Sequence, residues 1–400
     1  NEGEGNVKIQ KLIIIILIVF FEATLFLTSE SMAIPSFARR YKISCTTCHA
    51  PFPKLKPYGD EFAGDGFIMK EDEKERDYVT AGDDLLWLNR DFPLAVRFDA
   101  YAVFDQDHAV DKDLQIPWGL KLMSGGTLYK NIGYYFYFFM SERGKVAGIE
   151  DAYIHFDNIF GSDLDIMVGQ FQTSDPLMKR ELRLTIEDYM IYKQKFGHSA
   201  TNLAYDRGLM FVYGVEPTST DIVAMIVNGN GIAGDRGDGK FDSDPFKHFG
   251  LRVSQGVGDF LSFGGFYYQG KERLTSNGTA PSNKISYIGP DLNISVGPVE
   301  VTAQYLIRKD SNLLLNAEAK DVESSGTVVE VVLAPQLDRS RFLLTGLYNQ
   351  IKSDLTEYNY QTATISATYL LSRNLRLIAE YTRDLENDLN RFSLGTVTAF

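Results

Sequence analysis

From Phe92 to Phe400 the chain breaks into runs of about ten residues that alternate apolar and polar side chains, joined by polar turns. In Val299-Glu300-Val301-Thr302-Ala303-Gln304-Tyr305-Leu306-Ile307-Arg308 the odd positions are apolar and the even ones mostly polar. Leu375-Arg376-Leu377-Ile378-Ala379-Glu380-Tyr381-Thr382 repeats the pattern, broken only at Ile378. A period of two requires a strand whose two faces meet different surroundings. Sixteen such runs can be drawn: 92–104, 116–130, 131–141, 148–157, 163–171, 204–216, 219–228, 246–256, 260–270, 283–293, 297–308, 325–335, 340–350, 359–370, 374–383 and 389–400. Connections after even-numbered runs are short and those after odd-numbered runs are longer, the longest being 172–203 and 229–245. Regular alternation of tight and long turns with an even strand number marks an outer-membrane barrel, whose periplasmic turns are tight. A soluble sandwich has no reason for it. The expected fold is therefore mainly β, a 16-stranded antiparallel outer-membrane β-barrel over 92–400. Phe392, Leu394, Thr396, Thr398 and Phe400 share one face of the last run, as in the terminal strands by which such barrels are recognised for insertion.

Composition agrees with this. Aromatic residues reach 13%, with 22 Tyr and 27 Phe, which suits a pleated surface. The formal net charge of -13 argues against a nucleic-acid partner, because binding phosphate needs clustered Lys and Arg.

Residues 1–33 read as a signal peptide: Lys8 and Lys11 precede the apolar run Leu12 to Phe21, and Ser31-Met32-Ala33 supplies a small-x-small cleavage site. The other reading is an uncleaved anchor, which Glu22 interrupts. Residues 1–6 are acidic and unlike a targeting segment, and the expected translation start is near Val7.

The chain has two cysteines, in Cys45-Thr46-Thr47-Cys48-His49. C-x-x-C-H is the c-type haem attachment sequence. Two thioether bonds to the haem vinyl groups need thiols about one helical turn apart, and the following imidazole then reaches the iron, making His49 the proximal ligand. A thioredoxin-like redox pair would sit in a βαβ unit, and nothing suggests one. A structural zinc site needs four ligands, and there is no second cysteine pair. The expectation is one haem c. Met69 is a candidate sixth ligand, with an ordinary core thioether as the alternative. His108, His155, His198 and His248 are others, and an open sixth position is a further possibility. Residues 34–91 are too few to build a cytochrome core alone, so they are expected to sit in the lumen as a plug.

Beyond these residue-level readings, the chain resembles the fused monohaem cytochrome c–porin family of outer-membrane iron-oxidising cytochromes. The likeness rests on the C-x-x-C-H motif, on Phe52-Pro53-x-Leu55 and Gly59-x-x-Phe62, and on the barrel that follows. A weaker likeness to anion-selective porins lies in Glu150-Asp151-Ala152-Tyr153 and Val168-Gly169-Gln170-Phe171. The first resemblance implies an electron conduit carrying electrons through one haem from an extracellular donor such as Fe(II) to a periplasmic c-type cytochrome or other soluble carrier. That activity would be an Fe(II):cytochrome c oxidoreductase. The alternatives are a diffusion porin with the haem segment as a structural plug, a conduit working outward to an extracellular acceptor, and a haem enzyme with an open iron site. The long loop 172–203 carries Lys179, Arg180, Arg183, Lys193 and Lys195 with Glu181, Glu187 and Asp188. It either folds inward, to set anion preference or hold the haem propionates, or stays solvated with its own acids as partners. Asp105, Asp107, Asp111 and Asp113, and Asp235, Asp238, Asp242 and Asp244, are turn residues or cation-attracting clusters.

Overall fold

A computed structural model describes residues 35–49, 53–69, 78–90, 92–106, 110–174, 176–235, 237–273, 281–315 and 319–400. The expected signal peptide, Phe52, Asp107 and His108 lie outside them.

Sixteen strands form one closed barrel: β1 Leu94–Asp105, β2 Lys112–Tyr129, β3 Ile132–Glu142, β4 Gly148–Phe156, β5 Leu164–Phe171, β6 Asp206–Val215, β7 Thr220–Val227, β8 His248–Val257, β9 Leu261–Arg273, β10 Ser282–Val296, β11 Val299–Asp310, β12 Val322–Leu333, β13 Phe342–Ser353, β14 Tyr360–Ser372, β15 Leu375–Asp384 and β16 Leu389–Ala399. Each strand pairs antiparallel with its sequence neighbour, and β16 closes on β1 through the register Leu394↔Ala102. At the seam Val96 N–H donates to Phe400 O at 2.8 Å and Phe400 N–H returns to Val96 O at 2.9 Å. Every expected run is a strand. The largest shift is in β2, which starts at Lys112 and takes Asp113 out of the first outer loop.

The two faces sort as the alternation requires. On β8, Phe249, Leu251 and Val253 are exposed while His248 and Ser254 are buried. On β11, Tyr305 is exposed and Gln304, Leu306, Arg308 and Asp310 are buried inward. A closed sheet satisfies every backbone group between strands, so its outer face can be apolar and meet lipid. Ile378, the exception in β15, packs inward with Tyr101, Val103, Trp118, Val397 and Ala399. The turn asymmetry is looser than the sequence suggested: the inner connection 334–341 is longer than the outer one 385–388.

The connection 172–205 folds into the lumen and is pinned to the opposite wall. Glu380 on β15 accepts the backbone N–H groups of Ile186 and Glu187 at 2.7 and 2.8 Å. Tyr189 Oη donates to Glu330 on β12 at 2.7 Å, and Asn349 Nδ2 on β13 donates to Asp188 O at 3.0 Å. Arg308 on β11 donates to Thr201 O and Ser199 Oγ at 2.9 and 2.8 Å. The loop is thus a buried partition across the barrel. Arg180, Arg183 and Lys193 pair with Asp188 of the loop itself, as one of the two sequence readings held, but Lys179, Glu181 and Glu187 pair with α-helical and barrel residues, and the segment is not solvated.

Candidate functional site

Ahead of the barrel lie three short helices, α1 Pro35–Tyr41, α2 Cys45–Cys48 and α3 Pro57–Gly64. Ser44 caps α2, its Oγ accepting Thr46 N–H at 3.3 Å, and His49 N–H closes the turn on Cys45 O at 2.8 Å. This single turn puts Cys45 and Cys48 on one face. Both carry thiols rather than a disulfide. Burial, and Cys45 beside it, push the Cys48 thiol up, so it waits protonated.

Pro57 opens α3, where a missing N–H costs nothing. The helix packs so closely on α2 that a Cβ at Gly59 would stand 2.2 Å from Cys48 O. Lys56 N–H donates to Cys48 O at 2.8 Å and Lys56 Nζ to Thr46 O at 2.8 Å, which fixes the turn between the helices. Phe62 is buried edge-on to Phe37 and Phe67, at centroid distances of 5.2 and 5.7 Å. Phe67 stacks at 5.1 Å on Tyr135 of β3, joining this small aromatic core to the barrel wall. Backbones also touch there: a Cβ at Gly133 of β3 would meet Gly66 O at 2.0 Å. Lys54 pairs with Glu300 at 2.6 Å, and Lys56 with Asp338. Because β1 leaves this segment and odd strands run outward, the docked helices occupy the periplasmic mouth.

His49 faces two carbonyls with Nδ1, Pro53 O at 3.0 Å and Lys54 O at 3.3 Å. Both are acceptors, so the proton sits on Nδ1 and the lone pair on Nε2. Burial lowers its pKa to about 4, which keeps the ring neutral. A neutral imidazole oriented through its other nitrogen by a backbone carbonyl is the form in which histidine binds metals.

Cys45, Cys48 and His49 line a cavity of about 220 Å³ between the helices and the barrel wall. Phe37, Phe62, Phe67 and Tyr135 supply apolar sides, while Arg97, Lys121 and Lys179 bring positive charge to its lumen end. The chemistry of a haem fits this set: two thiols, a neutral imidazole, apolar sides for a macrocycle and cations for carboxylates. Met69 is half-buried and does not line the cavity, whereas Met123 of β2 does. His198 is exposed on the inward loop. His248 is buried, with Nδ1 on Tyr268 Oη at 2.9 Å and Nε2 on Lys271 O at 3.1 Å. His155 is buried at the periplasmic end of β4.

The inward loop roofs this cavity through Gln172, Lys179, Glu181 and Leu182. Four residues further on, Ile186, Glu187 and Asp188 floor a second space of about 770 Å³ open to the outer face, lined also by Asp105, Asp113, Tyr360 and Arg391. The same inward loop thus lines both spaces. Among the loop's basic residues, Arg180 and Lys193 lie 2.8 and 3.1 Å from Asp188, and Arg183 3.9 Å. Burial alone would raise the Asp188 pKa, but Arg183, Arg180 and Lys193 outweigh it and hold the carboxyl well below its usual range. Lys179 reaches Asp60 of α3 at 2.8 Å, tying the roof to the haem-motif helices. In the outer loops the acids act as turn acceptors: Asp235 Oδ1 takes the N–H groups of Gly237 and Gly239, both at 2.9 Å.

A closed 16-stranded barrel with an apolar belt and an inward constriction loop defines a bacterial outer-membrane protein of the porin fold. No protein-family model and no curated protein matches the chain. Solved structures do. The outer membrane channel DcaP of Acinetobacter baumannii is 15% identical, with TM-score 0.55, covering 78% of this chain and 97% of its own. The anion-selective porin from Comamonas acidovorans is 11% identical, with TM-score 0.56 and coverages of 78% and 99%. OprB of Pseudomonas putida is 11% identical, with TM-score 0.54 and coverages of 78% and 94%. At such identities the likeness is one of fold; the closed 16-stranded barrel with its apolar outer face is what belongs in an outer membrane.

Proposed function

We propose that the chain is an outer-membrane electron conduit. One haem c, joined to Cys45 and Cys48 and ligated by His49, exchanges electrons with an extracellular donor, Fe(II), and with a periplasmic c-type cytochrome. The activity is that of an Fe(II):cytochrome c oxidoreductase. The observation that supports it is the arrangement of the two spaces. The thiol–imidazole cavity lies at the periplasmic mouth, and the inward loop that lines it through Leu182 also lines, from Ile186 on, a vestibule that opens outside.

When bound, the haem supplies a one-electron couple. The chain's residues do the rest. Pro53 O and Lys54 O hold the His49 ring and its tautomer. Phe37, Phe62 and Phe67 give the cavity apolar sides that would keep water from a haem held there, and burial of that kind is a lever on reduction potential. Lys121, paired with Glu181 at 2.6 Å, and Arg97, paired with Asp99 at 2.8 Å, set the field at the lumen end. The vestibule carries Asp105, Asp113, Glu187 and Asp188 beside Arg143, Lys193 and Arg391, so Asp105 and Asp113 at its outer edge are the acids left to meet a cationic donor.

The second reading is a diffusion porin in which the haem segment is a structural plug, and the neighbours described as a channel and an anion-selective porin favour it. Spectroscopy on the purified protein separates the two. A c-type α band that appears on adding Fe(II), and is absent from Cys48→Ser, is expected for the conduit. An inert oxidised haem, or free solute permeation through haem-loaded protein in liposome swelling, would overturn it in favour of the porin.

A further inference from the structure

At the periplasmic rim the hairpin of β4 and β5 brings three ligand-bearing side chains together. Pairing of Phe156 with Ile166 places Asp157 opposite Asp165, and His155 shares their inward face two residues earlier. One ligand atom from each of His155, Asp157 and Asp165 lies within 4.8 Å of the others. His155 is 1% exposed, and among the described residues neither ring nitrogen has a hydrogen-bond partner. Its Nε2 points at Asp165 Oδ2 from 3.7 Å, too far for a hydrogen bond. A buried imidazole left unsatisfied on both nitrogens costs stability unless something occupies the space beside it.

The carboxylates are already oriented. Asn158, in the left-handed conformation at φ 49, donates its N–H to Asp165 Oδ1 at 2.8 Å and its Nδ2 to Asp157 Oδ2 at 2.7 Å. One residue therefore holds one oxygen of each acid, the arrangement by which outer-shell groups aim metal ligands. Ligands on a metal at bonds of about 2.1 Å stand about 3.4 Å apart in tetrahedral geometry, so the 3.7 Å gap needs only a small closure.

We propose that His155, Asp157 and Asp165 bind one divalent first-row transition metal ion, such as Zn²⁺ or Fe²⁺. An imidazole with two carboxylates suits these ions, whereas Ca²⁺ and Mg²⁺ take oxygen ligands alone. The ion joins the ends of two barrel strands. It also fixes the ring beneath the haem-motif segment, since a Cβ at Gly66 would stand 2.9 Å from His155 Cδ2. The site does not depend on haem attachment.

The test is metal binding by the full chain in detergent, stripped with chelator and titrated with Co²⁺ and Zn²⁺, with metal content measured after dialysis. One equivalent is expected. His155→Gln and Asp165→Asn should each weaken binding by more than about 100-fold while the unheated gel mobility of the barrel is retained. Cys45→Ser/Cys48→Ser should still bind one equivalent, without thiolate charge-transfer absorption. Absence of stoichiometric metal in the wild type, equal binding by both rim variants, loss confined to the cysteine variant, or a preference for Ca²⁺ or Mg²⁺ would each overturn the assignment.

Discussion

Replacing Glu380 by alanine should open the partition across the lumen without harming the barrel. The carboxylate is 1% exposed and accepts two backbone N–H groups, from Ile186 and Glu187. Hydrogen bonds to a charged group contribute about 1.5–3 kcal/mol each, so the pair is worth about 3 kcal/mol at the low end. Alanine removes both and strands two amides in a buried place. At about 1.4 kcal/mol per factor of ten, local opening of the stretch 183–188 rises about 100-fold. Asp188 O at the end of the stretch keeps its bond from Asn349, and further along Tyr189 and Thr201 keep Glu330 and Arg308, so the loop yields locally. Hydrogen exchange read by mass spectrometry gives this ratio directly when closing is fast. A peptide covering 183–188 should exchange about 100-fold faster in Glu380→Ala and several-fold faster in Glu380→Gln, which keeps one acceptor. Peptides from 192–203 should change little. Equal exchange of 183–188 in wild type and Glu380→Ala would show that the carboxylate does not hold the loop.

Other expectations follow from the same geometry. Asp188 has its folded pKa depressed, so its contribution is present above the ordinary carboxylate value of about 4 and is lost only as pH falls through the lower folded value. Bilayer conductance should then be flat from pH 7 to about 4, whereas Asp188→Asn, which leaves Arg180, Arg183 and Lys193 facing one another, should raise it at pH 7; an equal rise in wild type by pH 5 would contradict the sign. Gly59→Ala forces a Cβ onto Cys48 O and should cost about 1–3 kcal/mol or more locally. Haem content by pyridine haemochrome should drop while gel mobility of the barrel is kept, and full loading of that variant would refute the close packing of α2 and α3. Asp338→Asn removes a half-exposed partner of Lys56 and should shift haem-segment stability by less than about 1 kcal/mol in denaturant titration.

The strands were legible because lipid outside and water or packed polar groups inside impose opposite demands on alternate residues. Ile378 interrupts the pattern without breaking the strand, since the lumen holds apolar clusters of its own. The first four residues of β2, Lys112 to Gln115, fall outside the expected run because Leu114 is the only apolar side chain among them, too little to show an alternation. The haem motif could be read from spacing alone, but not what encloses it. Phe67, stacked on Phe37, meets Tyr135 only through the docking of the helices on β3. The anchors of the inward loop were likewise out of reach, because Glu380 and Ile186 are 194 residues apart. The rim cluster was also out of reach: a turn drawn at 158–162 sets Asp157 opposite Asp163, two residues off the pairing of Phe156 with Ile166 that brings Asp157 to Asp165.

The seam between β1 and β16 has a consequence for the order of assembly. Arg39 of α1 donates to Leu94 O at 3.0 Å, and two residues later Val96 is clasped by Phe400. The cargo-bearing segment is thus tethered to the first stave, and the last stave locks against that same stave. Under the proposed function, a haem joined to Cys45 and Cys48 would travel with that first stave into the mouth of the closing barrel.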